Sequence, residues 1–124
     1  MNFPKEFLDL LGDESKAMLY LATLNPDGSP QVTPVWFSTD GDYILINSSE
    51  GRAKVRNMKA RPKVAMTIQD PQETYRYLGI RGEVVDYTSE GADEHINRLS
   101  LKYDGRPWTP RPDQRRIIFR IRPT

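Results

Sequence analysis

The sequence predicts a mainly β (α+β) domain: a six-stranded antiparallel barrel, closed or split, with helices at its periphery. Two hairpin signals point there first, Asn25-Pro26-Asp27-Gly28 and Thr39-Asp40-Gly41-Asp42, because Pro presets one dihedral and Gly supplies positive φ. Short segments of alternating or β-rich apolar residues flank these turns. Connections are few and mostly short, so neighbouring strands pair antiparallel and helices lie outside the sheet.

Taken in order, residues 4–11 read as a short helix with Pro4 in its first turn, Phe7, Leu8 and Leu11 facing inward, and Gly12 ending it. Strands follow over 17–24, 30–38 and 43–47, which the two turns join into a three-stranded meander. Residues 48–61 lack a strand pattern and predict a helix capped by Ser49 and stopped by Pro62. Val64, Met66 and Ile68 alternate in a strand over 63–68. A long strand spans 74–87, where Gly79 and Gly82 suggest a bulge or a close approach of another group. Ser89 caps the next helix, whose Ala92, Ile96, Leu99 and Tyr103 fall at helical spacing. A Pro-rich loop over 104–113 leads to a last strand over 114–122, with Ile117, Phe119 and Ile121 on one face.

With 124 residues and no repeat or low-complexity run, the whole chain, 1–124, reads as one domain. A domain of this size builds deep clefts with difficulty, so a large ligand would call on a second subunit. No cysteine is present, which removes disulfides, cysteine-ligated metals and cysteine nucleophiles and is compatible with a cytoplasmic location. No stretch reads as a signal peptide or a membrane span, so no membrane partner is expected. A net charge of +1 speaks against a dedicated nucleic-acid binder, although a basic helix combined with Trp36 and Phe37 would be the route to one.

The most informative stretch is Ser48-Ser49-Glu50-Gly51-Arg52-Ala53-Lys54-Val55-Arg56-Asn57. Residues 51–63 hold six basic residues and no acidic one. Serines, a glycine and a helix N-terminus offer hydroxyl and N–H donors to a phosphate, and Arg52 and Lys54 add charge. The competing reading is a solvated basic face. A second candidate is the strand Gln31-Val32-Thr33-Pro34-Val35-Trp36-Phe37. Pro34 cannot donate to a ladder and marks an edge, where a planar ring could lie with Trp36 and Phe37 as walls; either aromatic could equally be core. The third is Tyr75-Arg76-Tyr77, suited to stacking and anion recognition or simply to cross-strand packing. His95 is the only histidine and lies one residue off an apolar stripe, where a helical histidine is expected to be partly exposed packing rather than a catalytic base. No nucleophile triad, zinc set or Gly-x-Gly-x-x-Gly turn is present, and no catalytic residue is assigned.

Several segments, in this order and spacing, resemble the pyridoxamine 5′-phosphate oxidase-like superfamily, and within it the small flavin- and deazaflavin-dependent oxidoreductases. They are Leu21-Ala22-Thr23-Leu24-Asn25-Pro26-Asp27-Gly28-Ser29-Pro30-Gln31-Val32, Val35-Trp36-Phe37, Gly51-Arg52-Ala53-Lys54-Val55-Arg56-Asn57 leading to Arg61-Pro62, Tyr77-Leu78 through Gly82-Glu83-Val84, and Glu94-His95-Ile96-Asn97-Arg98-Leu99. The resemblance implies an FMN-binding type split barrel, a homodimer with two cofactor sites between subunits, and coenzyme F-420 or FMN as cofactor. It implies that Arg52 and Lys54, with Arg56 and Asn57 behind them, hold the phosphate beside the Ser48 and Ser49 already read as donors, that Thr33, Pro34, Val35 and Trp36 flank the ring, and that Tyr75, Arg76 and Tyr77 reach the partner's cofactor. Arg56, Lys59 and Arg76 would favour the more anionic deazaflavin tail. The reaction implied is hydride transfer to or from a small unsaturated or electrophilic substrate, with Tyr75 or Tyr77 able to donate a proton. Pyridoxamine phosphate oxidation itself is not expected, because the C-terminal Arg and His of the true oxidases have no counterpart before Ile121-Arg122-Pro123-Thr124. The same fold could instead store flavin or haem without catalysis, with His95 as the only histidine for an axial ligand.

Overall fold

The computed structural model describes residues 3–124. Seven strands form one curled antiparallel half-barrel sheet: β1 (Met18–Leu24), β2 (Pro30–Val35), β3 (Phe37–Asp40), β4 (Tyr43–Ser49), β5 (Lys63–Gln69), β6 (Tyr77–Thr88) and β7 (Arg116–Pro123). A 3-10 turn (Lys5–Phe7) runs into α1 (Leu8–Leu11); α2 (Ala53–Ala60) follows β4, and α3 (Ala92–Asp104) follows β6.

The seventh strand arises because the segment expected over 30–38 breaks at Trp36. Its first part, β2, pairs with β1, and its second part, β3, pairs with β4. The sheet order is β2-β1-β5-β6-β7-β4-β3, so the two parts lie at opposite edges and the segment bends from one edge to the other. The expected three-stranded meander is therefore two separate hairpins. Pro34, which lacks an N–H, does sit on an edge strand. Both turns behave as read: Gly28 takes φ 86°, and Gly41 takes φ 61° at the first position of a two-residue loop.

Alternation sends Leu19 and Leu21 of β1, Phe37 of β3, Ile44 and Ile46 of β4, Ile68 of β5, and Phe119 and Ile121 of β7 into a single core. Helix α2 closes that core with Val55 and Met58. Burying a large apolar side chain is worth about 1.5–3 kcal/mol, so this cluster dominates the stability of the barrel. Gly82 shows the close approach expected of it: a Cβ there would lie 2.7 Å from Ile121 Cγ2 and 2.9 Å from Met66 Cε. Gly79 has open space, and the bulge in β6 lies farther on, between Val84 and Asp86.

Three other local expectations are corrected. Leu8 is exposed and Leu10 is buried beside Leu11, because the tighter 3-10 turn shifts the face of α1. Ser48 and Ser49 continue β4, paired with Ile117 and Arg116 of β7, so α2 starts at Ala53 with Arg52 rather than Ser49 at its N-cap. Gly91, not Ser89, is the N-cap of α3. The apolar stripe of α3 lies as read: Ile96, Leu99 and Tyr103 form a second cluster with Met18, Trp36 and Trp108. Tyr103 Oη donates to the Ala17 carbonyl at 2.7 Å, fixing that helix against the start of β1.

Candidate functional site

Where the chain bends at Trp36, a cleft of about 250 Å³ opens beside the start of α2. Pro34, Val35, Trp36 and Trp108 wall one part of it, and Ser48, Arg52, Lys54 and Arg116 line the other. A second hollow of about 310 Å³, lined by Gln31, Thr33, Arg52, Ala53 and Lys54, adjoins it at the shared Arg52 and Lys54. Neither lining contains a carboxylate.

Each cation is placed by its element. Arg52 sits at the N-cap of α2 and its Nε donates to Ser49 Oγ at 3.3 Å. Lys54, in the first turn, is half-buried and its Nζ donates to Thr33 Oγ1 at 3.4 Å. Burial first, and then the charges of Arg52 and Arg116, hold the Lys54 ammonium below its usual pKa. Burial also lowers Arg116, with Arg52 adding to the shift and Asp93 opposing it. Lys54, Arg52 and Arg116 thus repel one another across a partly desolvated space. The opening N–H groups of α2 have no helical carbonyl to bond, and they add to the positive potential. Such an arrangement suits an anion.

The aromatic side is equally ordered. Trp36 stacks on Tyr103 with centroids 5.3 Å apart and planes 3° from parallel, and meets Trp108 edge-on at 6.4 Å. Trp108 is held by its backbone N–H, which donates to Asn97 Oδ1 at 2.9 Å, and the Arg116 guanidinium lies 5.1 Å from its ring centre. The cleft is therefore apolar and flat-walled at one end and cationic at the other.

Of the residues read from sequence, the structure gathers Thr33, Pro34, Val35, Trp36, Ser48, Arg52 and Lys54 around these two hollows, with Ser49 behind Arg52. Phe37 faces the core with no exposure, so it cannot wall a ligand. Arg56 is exposed and donates to the Gly51 carbonyl, outside either lining. Asn57 is buried: its Nδ2 donates to Thr23 Oγ1 and Asn25 Oδ1, both at 3.0 Å, and ties α2 to the first turn. Arg76 clamps the N-terminal segment, donating to Asp9 Oδ1 at 2.7 Å, Asp70 Oδ2 at 2.9 Å and the Glu6 carbonyl. These two carboxylates balance its charge and raise its pKa. Tyr75 and Tyr77 are 91% and 56% exposed and line neither hollow.

Arg116, Asn47 and Trp108 were not among the sequence candidates, whereas Gln31 belonged to the second candidate stretch. Arg116 reaches the cleft because the register sets it opposite Ser49, a pairing across 67 positions that no local motif announces. Trp108 sits in a Pro-rich loop, where an aromatic residue carries no periodic signal. Gln31 Oε1 is buried beside the second hollow with no hydrogen-bond partner among the described residues.

A larger hollow, about 710 Å³, lies elsewhere, lined by Asp13, Asp40, His95, Arg98 and Lys102 among others. Its acids and bases offset one another, so size alone does not make it the better anion site. Among the described residues there is no group of three or more His, Asp or Glu that could hold a metal, and no helix is long and apolar enough to cross a membrane.

No curated protein sequence matches the chain. Among solved structures, an F-420 reductase shares 39% identity and a TM-score of 0.86, over 98% of this chain and 96% of that one. A haem storage protein from Vibrio cholerae, at 20% identity, shares the fold with a TM-score of 0.66, over all of this chain (100%) and 92% of its own. The pyridoxamine 5′-phosphate oxidase family model matches residues 3–124. A curled sheet that brings one bent strand to both its edges, matched by that model over nearly the whole chain, shows that this protein belongs to the pyridoxamine 5′-phosphate oxidase family.

Proposed function

We propose that the protein is an oxidoreductase that binds coenzyme F-420, or FMN in its place, and transfers hydride between the cofactor and a small unsaturated or electrophilic substrate. The observation that carries this reading is the convergence of Arg52, Lys54 and Arg116, without a lining carboxylate, at the end of a cleft walled by Pro34, Trp36 and Trp108. A flat heteroaromatic ring with an anionic tail has that same division of character. The 39% identity with a protein named an F-420 reductase supports the same class of ligand.

The residues present fit such a group. Arg52, Lys54 and the opening of α2 would hold the phosphate, and Gln31 and Thr33 offer polar groups beside it. Pro34, Val35 and Trp36 would lie along the ring. When bound, the cofactor supplies the hydride chemistry, which accounts for the absence of an acid–base dyad in the cleft. The protein's part is to fix the tail, wall the ring and exclude water. Haem storage is the poorer reading, because both ring nitrogens of His95, the only histidine, are already hydrogen-bonded, to Asn47 and to Ser38. Titration of the protein with F-420 and with FMN, followed by cofactor fluorescence, tests the proposal. Saturable quenching by one or both is expected, tighter for F-420 if the three cations meet several anionic groups. Quenching by neither would refute it.

The proposal includes a homodimer. Register places Tyr20 opposite Pro34, and Ala22 opposite both Val32 and Ala65, on the outer face of the sheet. Tyr77 and Gly79 continue that face on β6, and Val32 is 61% exposed. A run of apolar and small side chains on one sheet face suits a second copy of the chain, and Tyr75 and Tyr77 would then reach the neighbouring cleft. Sedimentation is expected to give about twice the 14.3 kDa of one chain. Val32→Asp should shift it to the monomer and weaken cofactor binding with it. A monomeric native protein that binds cofactor fully would overturn the dimer.

A further inference from the structure

His95 and Asn47 were absent from the site as read from sequence, and both are buried, at 2% and 8% exposure, so the partly exposed histidine expected on α3 is instead enclosed between that helix and the sheet. They stand in one line of hydrogen bonds that ends in the cleft. Arg116 Nε donates to Asn47 Oδ1 at 2.9 Å, and Asn47 Nδ2 donates to the Ala92 carbonyl at 2.9 Å. A guanidinium only donates and a carbonyl only accepts, so the Asn47 amide has one orientation. The same Nδ2 lies 3.1 Å from His95 Nδ1, which must therefore be the bare, accepting nitrogen. The ring proton is thereby assigned to Nε2, which donates to Ser38 Oγ at 2.9 Å. That tautomer is the wrong one for His95 to activate the Ser38 hydroxyl as a base, so the pair is not a nucleophilic dyad.

What the line does is fix Arg116. Its other side-chain contacts are slight: Nη1 to Gln114 Oε1 at 3.5 Å, and the face of Trp108. We propose that Asn47 and His95 are positioning residues, and that they hold the Arg116 guanidinium in the cleft as a third anion-binding cation. The inference rests on reading the cleft as an anion site, and goes beyond it in giving buried residues of β4 and α3 control over affinity. A neutral His95 accepts from Asn47, the amide oxygen is left for Arg116, and Arg116 is kept from swinging out of the cleft. A guanidinium fixed in advance loses little freedom when an anion arrives.

Two substitutions of the same histidine separate this from a merely structural role. The polar end of an asparagine falls near the ring Nδ1 position, and that of a glutamine near Nε2. His95→Asn keeps an acceptor for Asn47 and loses Ser38, whereas His95→Gln keeps Ser38 and loses Asn47. Both delete the ring, so both should lower stability alike. Inorganic pyrophosphate, titrated calorimetrically into the whole protein at fixed salt, probes the anion site without a cofactor. His95→Asn is expected to bind within roughly twofold of the native protein, and His95→Gln and Asn47→Ala roughly 5- to 10-fold more weakly, the worth of one hydrogen bond. Ser38→Ala should bind as the native protein does. Equal affinity of the two His95 variants overturns the positioning role, and if Lys54→Ala still weakens binding then the anion site stands without it. Native protein that binds no pyrophosphate, or an Arg116→Ala variant that binds it unchanged, overturns the proposal at its root. Should the His95 variants fail to fold, Asn47→Ala against Ser38→Ala decides the same question, and equal affinities there overturn it.

Discussion

Replacing Arg52 and Lys54 together by alanine is expected to weaken cofactor binding by more than about 100-fold while leaving the folded protein at least as stable. A charged hydrogen bond is worth roughly 1.5–3 kcal/mol, so each single variant should lose about 10- to 150-fold. The two side chains are neighbours and share a ligand, so their effects will not add fully. The stability half of the prediction follows from what these cations lack. Lys54 is half-buried, and the one side-chain hydrogen bond its ammonium makes among the described residues is 3.4 Å long, to a neutral hydroxyl. Arg52 bonds Ser49 Oγ, again a neutral group. Neither forms a salt bridge among the described residues. Burial and mutual repulsion therefore act on Lys54 against the fold, and removing the charge relieves both. Fluorescence titration at fixed salt and a urea midpoint without ligand check the two halves. A double variant that binds normally would reject the anion site. One that binds weakly and also unfolds early would mean that the cations serve the fold.

Legibility in the sequence followed the range of the forces. The core of the barrel could be read because alternation is local: Val64, Met66 and Ile68, or Ile117, Phe119 and Ile121, show their inward face within a few residues. The stripe of α3 was clear for the same reason. Pairing was not local. Ser48 and Ser49 have little strand propensity of their own, and they extend β4 because Ile117 and Arg116 lie opposite them. The break at Trp36 was likewise hidden, since nothing nearby says that one segment must join both edges of the sheet. In the site, Arg52 and Lys54 were legible as a basic run at a strand-to-helix junction. Arg116 was not, because it arrives from the last strand. For Arg76 the flanking tyrosines suggested anion recognition, and what the local pattern did not show is Asp9, 67 positions away, which together with the nearby Asp70 pairs with its guanidinium.

Acid is expected to destabilise the protein in a window set by His95, by about 2.5 kcal/mol between neutral pH and pH 4.5. Burial first, then the charges of Arg98 and Arg116, push the His95 pKa down to about 4 from its usual 6.5. The unfolded chain therefore takes up the proton at a higher pH than the folded one. Stability rises with pH wherever the unfolded state binds more protons. The contribution of a neutral, buried His95 is thus complete above about pH 6.5 and is lost as pH falls toward 4. At 1.36 kcal/mol per pKa unit, the lowered value corresponds to about 3 kcal/mol over the whole window. Three carboxylates titrate below this window in the folded state. Asp9, Asp27 and Asp70 have pKa values lowered below 3.8, chiefly by hydrogen bonds from Arg76, Ser29 and Gln72 respectively, so most of what they contribute is lost as pH falls below about 4, past the end of the His95 window. Urea midpoints at pH 7, 5.5 and 4.5 should fall steeply in the native protein and stay nearly level in His95→Asn, which lacks the ring. A variant that keeps the native slope would show that some other group titrates there. A native protein with no slope would show that His95 is protonated in the folded state, and a proton on Nδ1 would face the Asn47 Nδ2 that now donates to it.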